Sequence, residues 1–216
     1  MATAAASTRQ KRKRGAPTPI ELVNKKDDAQ FIADHLRPRL VGAPRLGEAD
    51  LAACYALVEE TSRADYEGSA AGWKPAQKRA EMRSPELRYL LVRRGDEIRG
   101  FTSLMPTYEE GQAVVYCYEI HLKPELQGTG LGRQLLEYHE QVARHTPTVD
   151  KVMLTCFLSN EGALAFYRKL GFEKDDISPE PRRLRFGKVF VPDYVIMSKA
   201  VVNEAAAAAE AAATTS

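Results

Sequence analysis

The chain has 216 residues, 44% of them hydrophobic, enough for one packed domain with tails. A formal net charge of +2 gives no general pull toward nucleic acid or a membrane surface. Three widely spaced cysteines, Cys54, Cys117 and Cys156, exclude a disulfide framework or metal knuckle and read as buried thiols of a reducing compartment. No apolar run reaches the roughly 20 residues of a membrane span, and no basic-then-apolar secretion signal opens the sequence.

Residues 1–19 are alanines, a basic run (Lys11-Arg12-Lys13-Arg14) and prolines, a composition that forms no core and is expected to be a disordered basic tail. That run reads either as a solvated arm or as a nuclear-import or nucleic-acid-contacting patch. Residues 20–47 form an extension, with a short amphipathic segment to Leu36 that Arg37-Pro38 and Gly42-Ala43-Pro44 interrupt. The folded domain is expected over 48–200 and an alanine-rich tail over 201–216.

Within the domain, Leu51, Tyr55 and Val58 recur at helical spacing and predict a helix from Glu48 to about Ser62. Pro75 suits the first position of a second short helix, to about Arg83. Three strands follow in a meander: Leu87 to Val92, Ile98 to Met105, and Ala113 to Leu122, with turns at Gly95-Asp96 and Glu109-Glu110-Gly111. A helix from Leu131 to about His145 precedes an apolar strand, Val152 to Phe157. These two strands are expected to pair in parallel through the helix. Ser159-Asn160 caps a further helix ended by Gly171, and residues 173–188 read as a charged loop. A last strand, Val189 to Met197, is interrupted at Pro192-Asp193. The fold class is α/β (α+β), a mixed sheet with helices on both faces.

Between the third strand and its helix lies Gln127-Gly128-Thr129-Gly130-Leu131-Gly132-Arg133. A glycine-rich turn that opens a helix leaves backbone N–H groups aimed at its entrance, which is a phosphate-binding geometry. A dinucleotide fingerprint beginning at Gly128 needs glycine at 133, and a P-loop needs Gly-Lys there; Arg133 excludes both. What remains is Gln-x-x-Gly-x-Gly directly after a strand.

That stretch resembles the acyl-CoA pyrophosphate loop of the GCN5-related N-acetyltransferases (GNAT). Asn160 to Phe172 resembles the same family's Asn-x-x-Ala…Tyr-x-Lys-x-Gly-Phe pattern. The resemblance implies a GNAT fold, mostly antiparallel, whose central parallel pair splays to admit acetyl-CoA. It implies that Gln127, Gly128, Thr129, Gly130, Leu131, Gly132 and Arg133 hold the pyrophosphate. Ile120, His121 and Leu122 would flank the pantetheine arm, with Asn160 and Tyr167 on its other side.

Val115-Tyr116-Cys117-Tyr118-Glu119-Ile120, Tyr66-Glu67, Gly72-Trp73-Lys74 and Val152-Met153-Leu154-Thr155 are similar to the NatD family, N-terminal acetyltransferases of histones H4 and H2A, which begin Ser-Gly-Arg-Gly. This similarity, over roughly residues 50 to 198, implies direct transfer in a ternary complex. Glu119 would be the general base and Tyr118 would assist. Tyr66, Tyr116, Tyr118, Thr155 and Tyr194 would line the pocket, Trp73 would wall it, and Glu109 or Glu110 would meet the substrate arginine. Ala71 stands where the family carries an aromatic residue, and Thr107 where it carries an aspartate. The partners implied are the two histone tails. Ribosome contact is left open; membrane and direct DNA binding are not expected, and the chain is expected to be a monomer without a metal, in the cytoplasm and nucleus.

Strict alternation puts Cys117 and Glu119 on one face of the strand and Tyr116, Tyr118 and Ile120 on the other. Tyr118 and Glu119 can meet one substrate only across a β-bulge, so distorted backbone is expected there. Taken without the resemblance, Glu119 reads as a solvated strand carboxylate and His121 as a satisfied sheet-edge histidine. Two other functions stay open: a GNAT enzyme acting on another N-terminus, an internal lysine or a small amine, and a non-catalytic module that holds CoA or a histone tail.

Overall fold

A mixed sheet carries every candidate site residue of the third strand, and its pairing decides where each points. The structure, a computed structural model, describes residues 39–42, 46–146, 148–183, 185–187 and 189–202. The expectations for residues 1–19, for the amphipathic segment to Leu36 and for the tail from 203 onward lie outside the described residues.

In chain order the elements are β1 (Arg39–Gly42), α1 (Glu48–Glu67), α2 (Pro75–Glu81), β2 (Arg88–Arg94), β3 (Glu97–Glu109), β4 (Gln112–Leu122), α3 (Leu131–His145), β5 (Lys151–Phe157), α4 (Glu161–Lys169), β6 (Glu173–Lys174), β7 (Arg182–Arg183), β8 (Val189–Phe190) and β9 (Tyr194–Ala200), with a 3-10 turn at Pro124–Leu126. Seven strands form one sheet in the order β1-β2-β3-β4-β5-β9-β6, and β7 pairs with β8 separately. β4 and β5 are parallel, whereas the other adjacent pairs are antiparallel. This is the mixed α/β sheet expected from the sequence.

Helix α1 outruns its predicted end at Ser62. Arg63 bonds Glu59 at 3.3 Å and Glu67 at 2.7 Å, both four residues away, and the first glycine is Gly68. Pro75 opens α2 as expected. The β3–β4 hairpin turns on Glu110 and Gly111, both with positive φ (45° and 81°), which matches the twist of the flanking strands. Four short strands, β1, β6, β7 and β8, fall in stretches read as extension, loop or a single interrupted strand.

One core lies between the sheet and α3 with α4: Val115, Cys117, Leu131, Leu135, Leu136, Leu154, Leu164 and Tyr167. A second lies between the opposite face and α1 with α2: Leu51, Cys54, Tyr55, Val58, Tyr89, Leu91 and Phe101. No described helix is long and apolar enough to cross a membrane.

Candidate active site

The register of β3 against β4 slips by one residue at the expected place. Ser103 pairs with Glu119 and Leu104 with Cys117, which leaves Tyr118 as an extra residue in β4. Cys117 lies in the α3–α4 core. Tyr118 packs against the α1–α2 core, and Glu119 bonds Lys78 of α2. The bulge therefore turns two consecutive side chains, Tyr118 and Glu119, to one face. Beneath it, Thr102 Oγ1 donates to the Glu119 carbonyl at 2.7 Å and lies 3.2 Å from His139 Nε2. Burial holds His139 down to about 4, so this ring is neutral at neutral pH.

Glu119 is not a solvated carboxylate. It is 8% exposed, and the two side chains that flank it, Lys78 and His121, are each 7% exposed. Lys78 Nζ donates to Oε1 at 2.8 Å, and His121 Nε2 lies 2.5 Å from Oε2, within hydrogen-bond distance. His121 Nδ1 lies 2.6 Å from Thr61 Oγ1 of α1. Burial alone would push the Glu119 carboxyl up; His121 and Lys78 outweigh it and hold the group below its ordinary value. Burial alone would push the Lys78 ammonium down, and Glu119, Tyr66 and Glu81 reverse that.

Around this pair the tyrosines converge. Tyr116 hydroxyl lies 2.6 Å from Thr155 Oγ1 on β5, and the Tyr116 and Tyr118 rings are 5.3 Å apart. Tyr66 sits 5.4 Å from Trp73 and edge-on to Phe157 at 4.8 Å. Tyr194 pairs in register with Phe157, which brings β9 to the same wall. The loop before Trp73 is pinned to the start of β9, where Ala70 N donates to Asp193 Oδ2 at 2.5 Å. Burial raises the Tyr118 phenol, and Glu109, Glu81 and Glu86 add to the shift. A cavity of about 90 Å³ opens here between Tyr66, Ala71, Trp73, Gln77, Lys78 and Glu81. A larger groove of about 500 Å³ lies beyond β9 and shares only Tyr194 with the predicted pocket.

On the other side β4 and β5 part. They pair at Val115–Val152, Tyr116–Met153 and Cys117–Leu154 and no further, so Glu119 to Leu122 have no β5 partner. This gap leads to the start of α3. Gly130 caps that helix at φ 91° without a side-chain bond, so the amides of its first turn are not covered by a capping side chain. Gly128 is also left-handed, at φ 73°. A Cβ on Gly132 would come within 3.1 Å of Phe166 Cζ, so glycine there lets α3 approach α4. Gln127 Nε2 donates to the Leu122 carbonyl at 3.1 Å and Thr129 Oγ1 to that of Leu126 at 2.7 Å, closing the loop on the end of β4. Uncovered amides, a helix dipole and closely approaching backbone fit a pyrophosphate, and the splayed strands fit an extended arm.

Several expected side chains are engaged elsewhere. Ile120 and Leu122 pack toward α3 and α4, whereas His121 turns to Glu119 and Thr61, so its imidazole does not flank the gap with them. Asn160 caps α4, accepting from Ala163 N at 3.0 Å. Arg133 Nε donates to Glu137 on the surface at 2.9 Å. Tyr167 packs between Phe166 and Phe172, and burial raises its phenol well above 10. Burial pushes the Cys117 thiol to about 12 and the Cys156 thiol to about 11, which leaves neither as a thiolate nucleophile. Among the described residues no group of His, Cys, Asp and Glu could hold a metal ion. Sequence reasoning missed Lys78, Thr61, Glu81 and Phe157. Lys78 stands in a charged segment, where nothing distinguishes it from Lys74 or Arg79.

A splayed parallel pair beside an uncapped glycine-rich helix start defines an acyl-CoA-dependent acyltransferase architecture. Residues 52–172 match the acetyltransferase (GNAT) family, and the chain belongs to that family, whose members use acetyl-CoA. N-alpha-acetyltransferase 40 of Saccharomyces cerevisiae is 36% identical over 177 residues, 68% of this chain and 62% of that protein. N-alpha-acetyltransferase RimI of Mycobacterium tuberculosis is 32% identical over 105 residues, 47% of this chain. The chain spans 62% of the length of each of these two relatives. Among solved structures, Arabidopsis thaliana NAA60 in complex with a bisubstrate analogue shares the fold at a TM-score of 0.54 and 11% identity, covering 77% of this chain and 99% of that one. The paia N-acetyltransferase of Thermoplasma acidophilum in complex with coenzyme A does so at 0.52 and 18%, covering 76% and 98%.

Proposed function

We propose that this chain is an N-terminal α-amino acetyltransferase that uses acetyl-CoA and acts on the N-terminal serine of histones H4 and H2A, in the cytoplasm and nucleus. The bulge at Tyr118 carries the proposal, because it places Tyr116, Tyr118 and Glu119 on the face where Tyr66, Trp73 and Thr155 form a pocket. The likeness to N-alpha-acetyltransferase 40 supports an α-amine as acceptor. Glu109, at the end of β3 beside the β3–β4 turn, is the carboxylate proposed to meet the arginine of a Ser-Gly-Arg-Gly terminus.

In this reading the first turn of α3 and the gap between β4 and β5 hold acetyl-CoA, which supplies an acetyl thioester. The substrate α-ammonium has a pKa of about 7.7–8.0 and needs only modest help to lose a proton. Glu119 takes that proton, the tyrosine hydroxyls hold the nitrogen, and the free amine attacks the carbonyl carbon. The C–N bond forms, the C–S bond breaks, and the thiolate is protonated. The balance is one acetyl-CoA and one α-ammonium giving one amide, one CoA thiol and one proton, with no acyl-protein intermediate.

The test is incubation with acetyl-CoA and three acceptors: a Ser-Gly-Arg-Gly peptide, the same peptide blocked at its α-amine but carrying a lysine, and a small polyamine. Mass spectrometry with fragmentation locates the acetyl group. Acetylation at the serine α-nitrogen is expected. Transfer to the lysine or polyamine, with the free peptide untouched, would replace the substrate assignment.

A further inference from the structure

Both oxygens of Glu119 are engaged by side chains of the chain itself. Lys78 holds Oε1 and His121 faces Oε2, and groups that keep a carboxylate ionised also weaken it as a proton acceptor. The other titratable groups on its side of the sheet are Tyr66 from α1, Tyr89 from β2 and, through Lys78, Glu81 from α2, none of them a cation. Lys78 differs from its neighbours in three respects. Its charge sits on a flexible stem. Its Nζ holds a second carboxylate, Glu81 Oε1, at 2.7 Å. It lies over the Tyr66 ring, 5.0 Å from the centroid, on the wall of the cavity that Trp73 also lines. An ammonium against a carboxylate and over an aromatic face is the environment a substrate amine requires, and the chain's own lysine fills it.

We infer that Lys78 is a positioning residue: between turnovers its ammonium fixes Glu119 as a carboxylate, and during turnover it retreats onto Glu81 and yields its place at Oε1 to the substrate's α-ammonium. The inference rests on Glu119 as the base. Withdrawal of the neighbouring cation raises the proton affinity of Glu119 when the substrate presents its proton. The N–H bond of the ammonium then breaks and an O–H bond forms at Oε1. His121, attached to the strand and braced by Thr61, keeps hold of Oε2 throughout.

The experiment measures kcat/KM against pH with acetyl-CoA and a Ser-Gly-Arg-Gly peptide, with acetyl-CoA binding followed separately. The proteins are wild type, Lys78→Arg and Lys78→Gln, each repeated on a Glu119→Gln background. Lys78→Gln is expected to move the acidic limb to higher pH by about one unit or more. Lys78→Arg keeps that limb in place but raises the peptide KM roughly tenfold, because its guanidinium can fork between both carboxylates and withdraws less readily. On the Glu119→Gln background Lys78→Gln has no further effect. A uniform loss across pH in Lys78→Gln with the limb unmoved assigns Lys78 to packing and overturns the inference, as does an unchanged KM in Lys78→Arg, which decides the matter if the glutamine variant does not fold. A fully active Glu119→Gln instead removes the base itself.

Discussion

From Gln127 to Arg133 the chain offers a ligand its backbone: left-handed glycines, uncovered amides and side chains that fold back onto neighbouring carbonyls or out to the surface. Around Glu119 the opposite holds. Side chains from α1, α2, β4, β5 and β9 converge, and the backbone contributes one extra residue that turns two of them inward. A backbone site tolerates many side-chain changes and fails when its dihedral angles are denied. A side-chain site fails one functional group at a time. Mutations on the two sides of the cleft should therefore separate binding of the acetyl donor from handling of the amine.

The largest effect is expected at Glu119. Glu119→Gln should lower the single-turnover transfer rate about 10²- to 10⁴-fold while titration calorimetry shows unchanged acetyl-CoA affinity. A proportionate loss of both would mean the two sides are not separable. Next is Gly130→Val, which forces a β-branched residue to φ 91°. At about 1–2 kcal/mol of backbone cost, acetyl-CoA should bind roughly tenfold more weakly, with transfer at saturating donor nearly retained. Thr155→Val removes the hydroxyl that meets Tyr116 at 2.6 Å. For a lost hydrogen bond of about 0.5–1.5 kcal/mol, the peptide KM should rise some two- to tenfold and the donor KM should not move.

The smallest effect on activity concerns His139, which sits beneath the bulge and acts on stability. Its folded value is about 4, against about 6.5 when unfolded. The unfolded chain therefore binds more protons between those values, so stability falls as pH drops through 6.5 toward 4, by up to about 3 kcal/mol. Glu119, held below its ordinary value, contributes stability that is lost only at lower pH, so the two windows separate. Urea unfolding at pH 7 and pH 4.5 should show a smaller difference in His139→Gln than in wild type.

Much of the donor side was legible because its signals are local. The glycines, the strand before them and the helix after them lie within one short stretch, and the hairpin at Glu110-Gly111 announces its own turn. The amine side was legible only in part. That Tyr118 and Glu119 could not share a face of a regular strand marked the bulge in advance. The partners of Glu119 and His121 were hidden by distance: Lys78 is 41 residues from Glu119 and Thr61 is 60 residues from His121. The resemblance grouped Ile120, His121 and Leu122 as cofactor neighbours. Alternation already sets His121 apart from the other two, and its ring does lie on the opposite face. Strands of two to four residues, such as β1 and β6, are held by their partners and carry no pattern of their own.

The most direct measurement is a crystal structure with an acetyl-CoA–Ser-Gly-Arg-Gly bisubstrate conjugate. The serine nitrogen should lie within hydrogen-bond reach of Glu119 on the Tyr118 side of β4, with the pantetheine arm in the gap beyond Cys117 and Leu154 and Lys78 withdrawn onto Glu81. A nitrogen on the Cys117 side of the strand, or an arm outside that gap, would contradict the division of the cleft between loop and bulge.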